Sequence, residues 1–94
     1  MLLTIDIGNT NLTLGLYNGE TLDAKWRLAT DHSRMPDEYG LQMLGLLQNA
    51  RRDTGELEGI CLSSVVPPIT SRIVQACEEY LDLSPLVVTH ELKT

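Results

Sequence analysis

Two short runs of strand-forming residues, Leu2 to Ile7 and Leu12 to Tyr17, meet across Gly8, Asn9, Thr10 and Asn11, and this junction constrains the fold more than any other stretch. Side chains alternate along a strand, so Leu3, Ile5 and Ile7 share one face while Leu2, Thr4 and Asp6 share the other. Leu12, Leu14 and Leu16 alternate in the same way with Asn11, Thr13, Gly15 and Tyr17. The two runs read as a β-hairpin with one apolar face. Asp, Gly, Asn and Thr are common turn formers, so a simple tight turn is one reading of the junction. Two features favour a site instead: the polar cluster is longer than a two-residue turn needs, and Asp6 lies before the turn, at the end of a mostly apolar strand.

A carboxylate at that position must be solvated, hydrogen-bonded or set against a cation, because burying it unpaired is very costly. Gly8 is expected to supply backbone conformations closed to other residues and to let a ligand approach the main chain. Asn9, Thr10 and Asn11 carry amides and a hydroxyl that can donate to phosphate oxygens, together with the turn's backbone N–H groups. Magnesium keeps several waters and takes one or two carboxylates plus phosphate oxygens, so Asp6 alone suffices to bind it, directly or through water.

The remaining chain reads as scaffold. Asn18-Gly19 marks a second hairpin, since both residues tolerate positive φ. Thr21 to Ala29 then alternates Leu22, Ala24, Trp26 and Leu28 with Asp23, Lys25 and Arg27, as an edge strand with one solvated face does. Thr30 to Arg34 is a polar connection. Tyr39, Met43, Leu46, Leu47 and Ala50 recur at helical spacing behind Pro36, with Asp37 and Glu38 at the positive end of the helix dipole and Arg51 and Arg52 at the other. Asp53 to Glu58 reads as a loop. Gly59 to Val66 is a near-continuous apolar run, which predicts a strand covered on both faces. Pro67 and Pro68 open a second helix with an apolar stripe of Ile69, Ile73, Ala76, Cys77, Tyr80 and Leu81. Ser84-Pro85 ends it, and Leu86 to Thr89 is a last short strand reaching His90.

The order β-β-β-α-β-α-β predicts an α/β fold with a five-stranded mixed sheet ordered 3-2-1-4-5, its first, fourth and fifth strands parallel. Right-handed crossovers that step outward in one direction place both helices on one face. The other face is expected to be covered by a further helix, a second lobe or another subunit. Ligands in such sheets sit beyond the carboxyl ends of the parallel strands, where Asp6, Ser63-Ser64 and His90 would converge. His90 reads first as a polar strand-end residue, and the two serines first as groups that satisfy nearby backbone.

Composition narrows the function. Ninety-four residues make one domain at most, burying only about 60–65% of the unfolded chain's surface. With no Phe and one Trp the core must be aliphatic. A net charge of −6 argues against a nucleic-acid or anionic-membrane surface, which needs a basic stripe. No apolar run approaches the roughly 18 residues of a membrane span, and the N-terminus lacks a signal peptide's basic start, so a cytoplasmic location is expected. Cys61 and Cys77 are too widely spaced for a CxxC pair and read as reduced, buried core residues.

The stretch Ile5-Asp6-Ile7-Gly8-Asn9-Thr10-Asn11 resembles the first phosphate motif of the acetate and sugar kinase, Hsp70 and actin superfamily, whose lobes are ribonuclease-H-like. Together with Trp26-Arg27 and Thr30, Asp37 to Gly40, and Ser63 to Pro67, it is similar to the N-terminal part of the type III pantothenate kinases, the Bvg accessory factor-like family. That resemblance covers essentially the whole chain and makes residues 1–94 a single lobe of a two-lobed kinase. It implies transfer of the terminal phosphate of ATP to the hydroxyl of pantothenate, the first step of coenzyme A synthesis, with Mg2+ and a monovalent cation (K+ or NH4+). Asp6 would lie near the magnesium, Gly8 would give close approach, and Asn9, Thr10, Asn11 and Thr13 would line the nucleotide phosphates. The family's Gly-x-Asp-Arg motif, its second phosphate motif and its cation ligand do not occur in these 94 residues, so no catalytic residue is assigned here and this chain is expected to be inactive alone. The resemblance also implies a homodimer. Two other classes remain open: a non-catalytic nucleotide-binding or regulatory module, and a metal-dependent nuclease of the same fold, which would need further carboxylates and a basic groove.

Overall fold

The computed structural model describes residues 1–89; His90 lies outside the described residues. Five strands, β1 (Leu2–Ile7), β2 (Asn11–Asn18), β3 (Thr21–Ala29), β4 (Gly59–Ser64) and β5 (Leu86–Thr89), form one sheet in the order β3-β2-β1-β4-β5. β1 and β2 pair antiparallel, as do β2 and β3, while β4 runs parallel to β1 and β5 parallel to β4. The expected mixed sheet is therefore the observed one.

Two helices, α1 (Pro36–Asn49) and α2 (Pro67–Ala76), pack against each other and into a single apolar cluster with one face of the sheet. From β1 and β2 the cluster receives Leu3, Ile5, Ile7, Leu12, Leu14 and Leu16, all essentially inaccessible, and from the helices Tyr39, Met43, Leu47, Ile69 and Ile73. Burying an aliphatic side chain of this size is worth about 1.5–3 kcal/mol relative to leaving it exposed, so this face carries most of the driving force for folding. α1 opens as a proline at the first turn predicts, with the Glu38 carboxylate accepting the Met35 N–H at 2.7 Å.

The structure departs from the periodicity at several places, each for a local reason. A bulge between Leu16 and Tyr17 in the β2–β3 register pairs Leu16 with Ala24 and Tyr17 with Leu22, leaving Asp23 as the extra residue. One inserted residue reverses the face of everything beyond it, so Leu22 leaves the core face and stands 46% exposed. In the β2–β3 turn only Gly19 takes positive φ, at 63°. Arg51 and Arg52 lie past α1 rather than in its last turn: Arg51 adopts the left-handed conformation and the two N–H groups bond back to Gln48 and Leu47, closing a Schellman end. The loop after them contains a 3₁₀ turn at Thr54–Glu56.

α2 continues into a π-helical turn, Cys77–Leu81, which buries Cys77 and Leu81 but leaves Tyr80 half-buried, its hydroxyl donating to Asp37 at 2.8 Å. The Tyr80 ring lies over Gly40 of α1, where a Cβ would fall 2.3 Å from its Cδ1. β4 is buried on one face only: Ile60 and Leu62 point into the core, and Cys61, expected inside, is half-exposed on the other face. That second face is open among the described residues, with Leu2, Leu22, Leu86 and Val88 exposed on it.

Candidate functional site

The registers on either side of β1 place Asp6 opposite Thr13 of β2 and Ser63 of β4, while Thr13 faces Arg27 of β3. One row thus crosses the open face of the sheet beside the β1–β2 turn: Arg27, Thr13, Asp6, Ser63. Asp6 is exposed, and the Ser63 hydroxyl donates to its Oδ1 at 3.0 Å. Oδ2 has no protein partner among the described residues. The placement follows from alternation, since Ile5 and Ile7 must face the core and Asp6 between them cannot.

The turn itself is held by main-chain bonds. Gly8 N–H donates to Asn11 O at 2.9 Å, and Val65 N–H donates to Ile7 O at 3.1 Å, tying the end of β1 to the chain leaving β4. Gly8 does not adopt positive φ, contrary to the expectation from its residue type. Its requirement is space: an added Cβ would stand 3.2 Å from Asn11 O. Asn9 and Thr10 are exposed at the tip, and their N–H groups donate to no described residue. Asn11 is exposed as well, its side-chain amide 3.4 Å from the Thr10 hydroxyl, and Thr13 is half-buried in the polar row.

Asp6, Asn9, Thr10, Asn11 and Thr13 are therefore gathered at one end of β1 and β2. Of the two serines, Ser63 reaches Asp6, whereas Ser64 is used locally, its Oγ accepting the Val66 N–H at 2.9 Å. From the sequence, Ser63-Ser64 are expected at the same sheet end as Asp6 but read first as groups that satisfy nearby backbone; that holds for Ser64, whereas the parallel pairing of β1 with β4 sets Ser63 beside Asp6, the only charged residue of β1. Thr30 was missed. It continues β3 past Ala29, and its N–H reaches Thr10 O at 2.9 Å while its hydroxyl reaches Gly8 O at 2.8 Å.

This donor set suits one kind of metal and not another. Among the described residues no group of three or more His, Cys, Asp or Glu side chains converges to cage an ion. A single exposed carboxylate with one oxygen held and the other unpartnered, beside unpaired amides, fits a hydrated magnesium that shares its shell with phosphate oxygens. Asp6, directly or through water, is the residue that would hold it.

Strand order and the two helices on one face give the chain a ribonuclease-H-like fold. Among solved structures, RuvC of Thermus thermophilus in complex with a Holliday junction substrate superposes with a TM-score of 0.62 at 15% identity, over 96% of this chain and 64% of that one. A second structure of Thermus thermophilus RuvC gives 0.60 at 18% identity, over 94% of this chain and 60% of that one. Likeness at that identity establishes the fold alone. The sequence is decisive where the fold is not: the model of the type III pantothenate kinase family matches residues 2–94, and the chain belongs to that family. A type III pantothenate kinase of Exiguobacterium sibiricum is 44% identical over all 94 residues, which is 37% of its own length. One of Thermomicrobium roseum is 49% identical over 88 residues, 34% of its length. The chain thus spans about a third of the curated relatives it matches.

Proposed function

We propose that this chain supplies the first phosphate-binding lobe of an ATP-dependent kinase that phosphorylates pantothenate to 4'-phosphopantothenate. The observation that carries the reading is Asp6, held by Ser63 at the end of β1 beside a turn whose Asn9 and Thr10 amides are unpartnered, in a chain that belongs to this family. In the reaction the bond between the terminal phosphorus of ATP and its bridging oxygen breaks, a bond to the pantothenate hydroxyl oxygen forms, and ADP leaves. The proton of that hydroxyl passes to a base that is not assigned in this chain.

Phosphoryl transfer is mostly positioning and charge stabilisation, and this lobe's share is positioning. Asn9, Thr10 and Asn11 donate to the nucleotide phosphates, Thr13 lines their approach, and Gly8 keeps the turn clear of a side chain. Asp6 would hold the magnesium that accompanies the phosphates, directly or through water, and that ion would supply neutralising charge at the transferring group. No residue here is assigned to the monovalent cation. A net charge of −6 over these 94 residues weighs against contact with nucleic acid or an anionic membrane, and the enzyme is taken to be cytoplasmic in this reading. No helix among the described residues is long and apolar enough to cross a membrane. The open sheet face with Leu2, Leu22, Leu86 and Val88 is the surface a second lobe or a partner subunit of a homodimer would cover.

The test is pantothenate-dependent ADP release by the product of the complete native reading frame, with magnesium and potassium, and this 94-residue chain as control. Turnover by the long protein and none by the short one is the expected result. Magnesium-nucleotide binding without turnover in the long protein would replace the reading with a regulatory module, and nucleic-acid cleavage would replace it with a nuclease.

A further inference from the structure

We propose that Thr30 is a positioning residue that sets the orientation of the phosphate-binding turn; this rests on the kinase reading of that turn. The turn between β1 and β2 is exposed at its tip, and its own hairpin closes it with one main-chain hydrogen bond, Gly8 N–H to Asn11 O at 2.9 Å. Both carbonyls flanking Asn9 and Thr10 are instead taken by one residue of another strand's continuation. Thr30 Oγ1 donates to Gly8 O at 2.8 Å and Thr30 N–H donates to Thr10 O at 2.9 Å.

The consequence follows from the planar trans peptide. The Gly8 carbonyl and the Asn9 N–H share one rigid plane and point in opposite directions. Holding the carbonyl toward Thr30 therefore turns the Asn9 N–H away from β3, leaving it free as an anion donor. Released, that peptide plane can rotate, and the carbonyl can present a negative dipole where a phosphate is to bind. An unpaired carbonyl in that position opposes the ligand rather than ignoring it.

Thr30 is itself braced from the core. The next residue, Asp31, donates its N–H to the Tyr39 hydroxyl at 3.1 Å, and that hydroxyl donates back to Asp31 O at 3.0 Å. Tyr39 is wholly buried at the start of α1. Arg72 of α2 donates to the carbonyls of His32 and Arg34, fixing the other end of the same connection. A path of hydrogen bonds thus runs from both helices through residues 31–34 to Thr30 and so to the turn. None of these groups reaches the reacting atoms; Thr30 acts through Gly8 and Thr10.

The experiment uses the complete native protein with Thr30→Val, which keeps the shape and the backbone bond but lacks the hydroxyl, and Thr30→Ser, which restores it. One lost hydrogen bond corresponds to about a fivefold effect. Thr30→Val is expected to raise KM for ATP about fivefold or more with KM for pantothenate unchanged, and Thr30→Ser to return it to within about twofold of wild type. A purely structural role would lower Tm without separating the two KM values. Wild-type KM for ATP in Thr30→Val overturns the proposal. Should the wild type transfer no phosphate to pantothenate, the kinase reading fails, and the calorimetric Kd for MgATP decides the positioning role in its place. Amide exchange at Gly8 and Thr30 decides it without any ligand: faster exchange in Thr30→Val supports the brace, and unchanged exchange overturns it.

Discussion

Gly40→Ala should destabilise the protein although alanine is the better helix former. In an exposed helix interior the change from Gly to Ala gains about 1 kcal/mol. Gly40, however, sits beneath the Tyr80 ring, and the new Cβ would stand 2.3 Å from Cδ1, 2.5 Å from Cγ and 2.8 Å from Cε1. These are atoms at the base and near edge of the ring, so no small rotation of a flexible end relieves the clash. The ring is also pinned at its far end by the bond to Asp37 and at its backbone by the π turn. Overpacking of this kind costs about 1–3 kcal/mol, and displacing the hydroxyl from Asp37 costs about 0.5–1.5 more. After the helix gain is subtracted, the net loss is about 0.5–3.5 kcal/mol. Gly45 is the control: it lies on the same helix with nothing within 4 Å of an added Cβ, so Gly45→Ala should stabilise by up to about 1 kcal/mol. Urea unfolding followed by Trp26 fluorescence, the chain's one tryptophan, reads both midpoints. Equal or rising midpoints for both variants would refute the packing argument. Restoration of Gly40→Ala by Tyr80→Ala would tie the loss to the ring itself.

Asp6→Asn in the complete protein should lower kcat/KM for ATP by about a hundredfold or more while leaving the unfolding midpoint unchanged, since Asp6 is exposed and its amide can still accept from Ser63; a large stability loss with retained turnover would contradict its placement at the phosphates. Burial pushes the Cys77 thiol up to about 12, so native protein at pH 8 should take up one alkyl group, at half-exposed Cys61, and a second only after unfolding, as mass spectrometry would show. The Ser33 hydroxyl and N–H, with Arg34 nearby, hold the Asp31 carboxyl below its ordinary 3.8. Its stabilising contribution is therefore complete above that value and lost as pH falls through the lower folded midpoint, so the Tm gap between wild type and Asp31→Asn should be present at pH 6 and close in strong acid.

Most of the architecture was legible because hydrophobic period and punctuation agree along the chain. Strand order, parallel pairing and the common side of both helices follow from alternation in β1 and β2, the apolar run of β4 and the prolines opening each helix. What escaped has no local signature. Thr21 to Ala29 alternates without a break, so nothing marks Asp23 as the residue the sheet leaves out. Gly40 reads as a mild helix weakener until Tyr80, forty residues on, is placed over it. The site divides the same way: Asp6 and Asn9 to Asn11 are contiguous and announce themselves, whereas Ser63 and Thr30 join them only through register, across 57 and 22 residues of chain.

That separation bears on the order in which the lobe is made. β1, β2 and β3 are joined by tight turns and can pair as soon as they leave the ribosome, Thr30 closing on the turn directly behind them. Ser63 comes later, and β4 must find β1 by a non-local parallel pairing, the slow kind. A nascent lobe can therefore display the loop before it holds the carboxylate in place. On the proposed kinase reading, competence for the nucleotide and completion of the sheet would then arrive in a single step, and a partly folded lobe would hold ATP poorly.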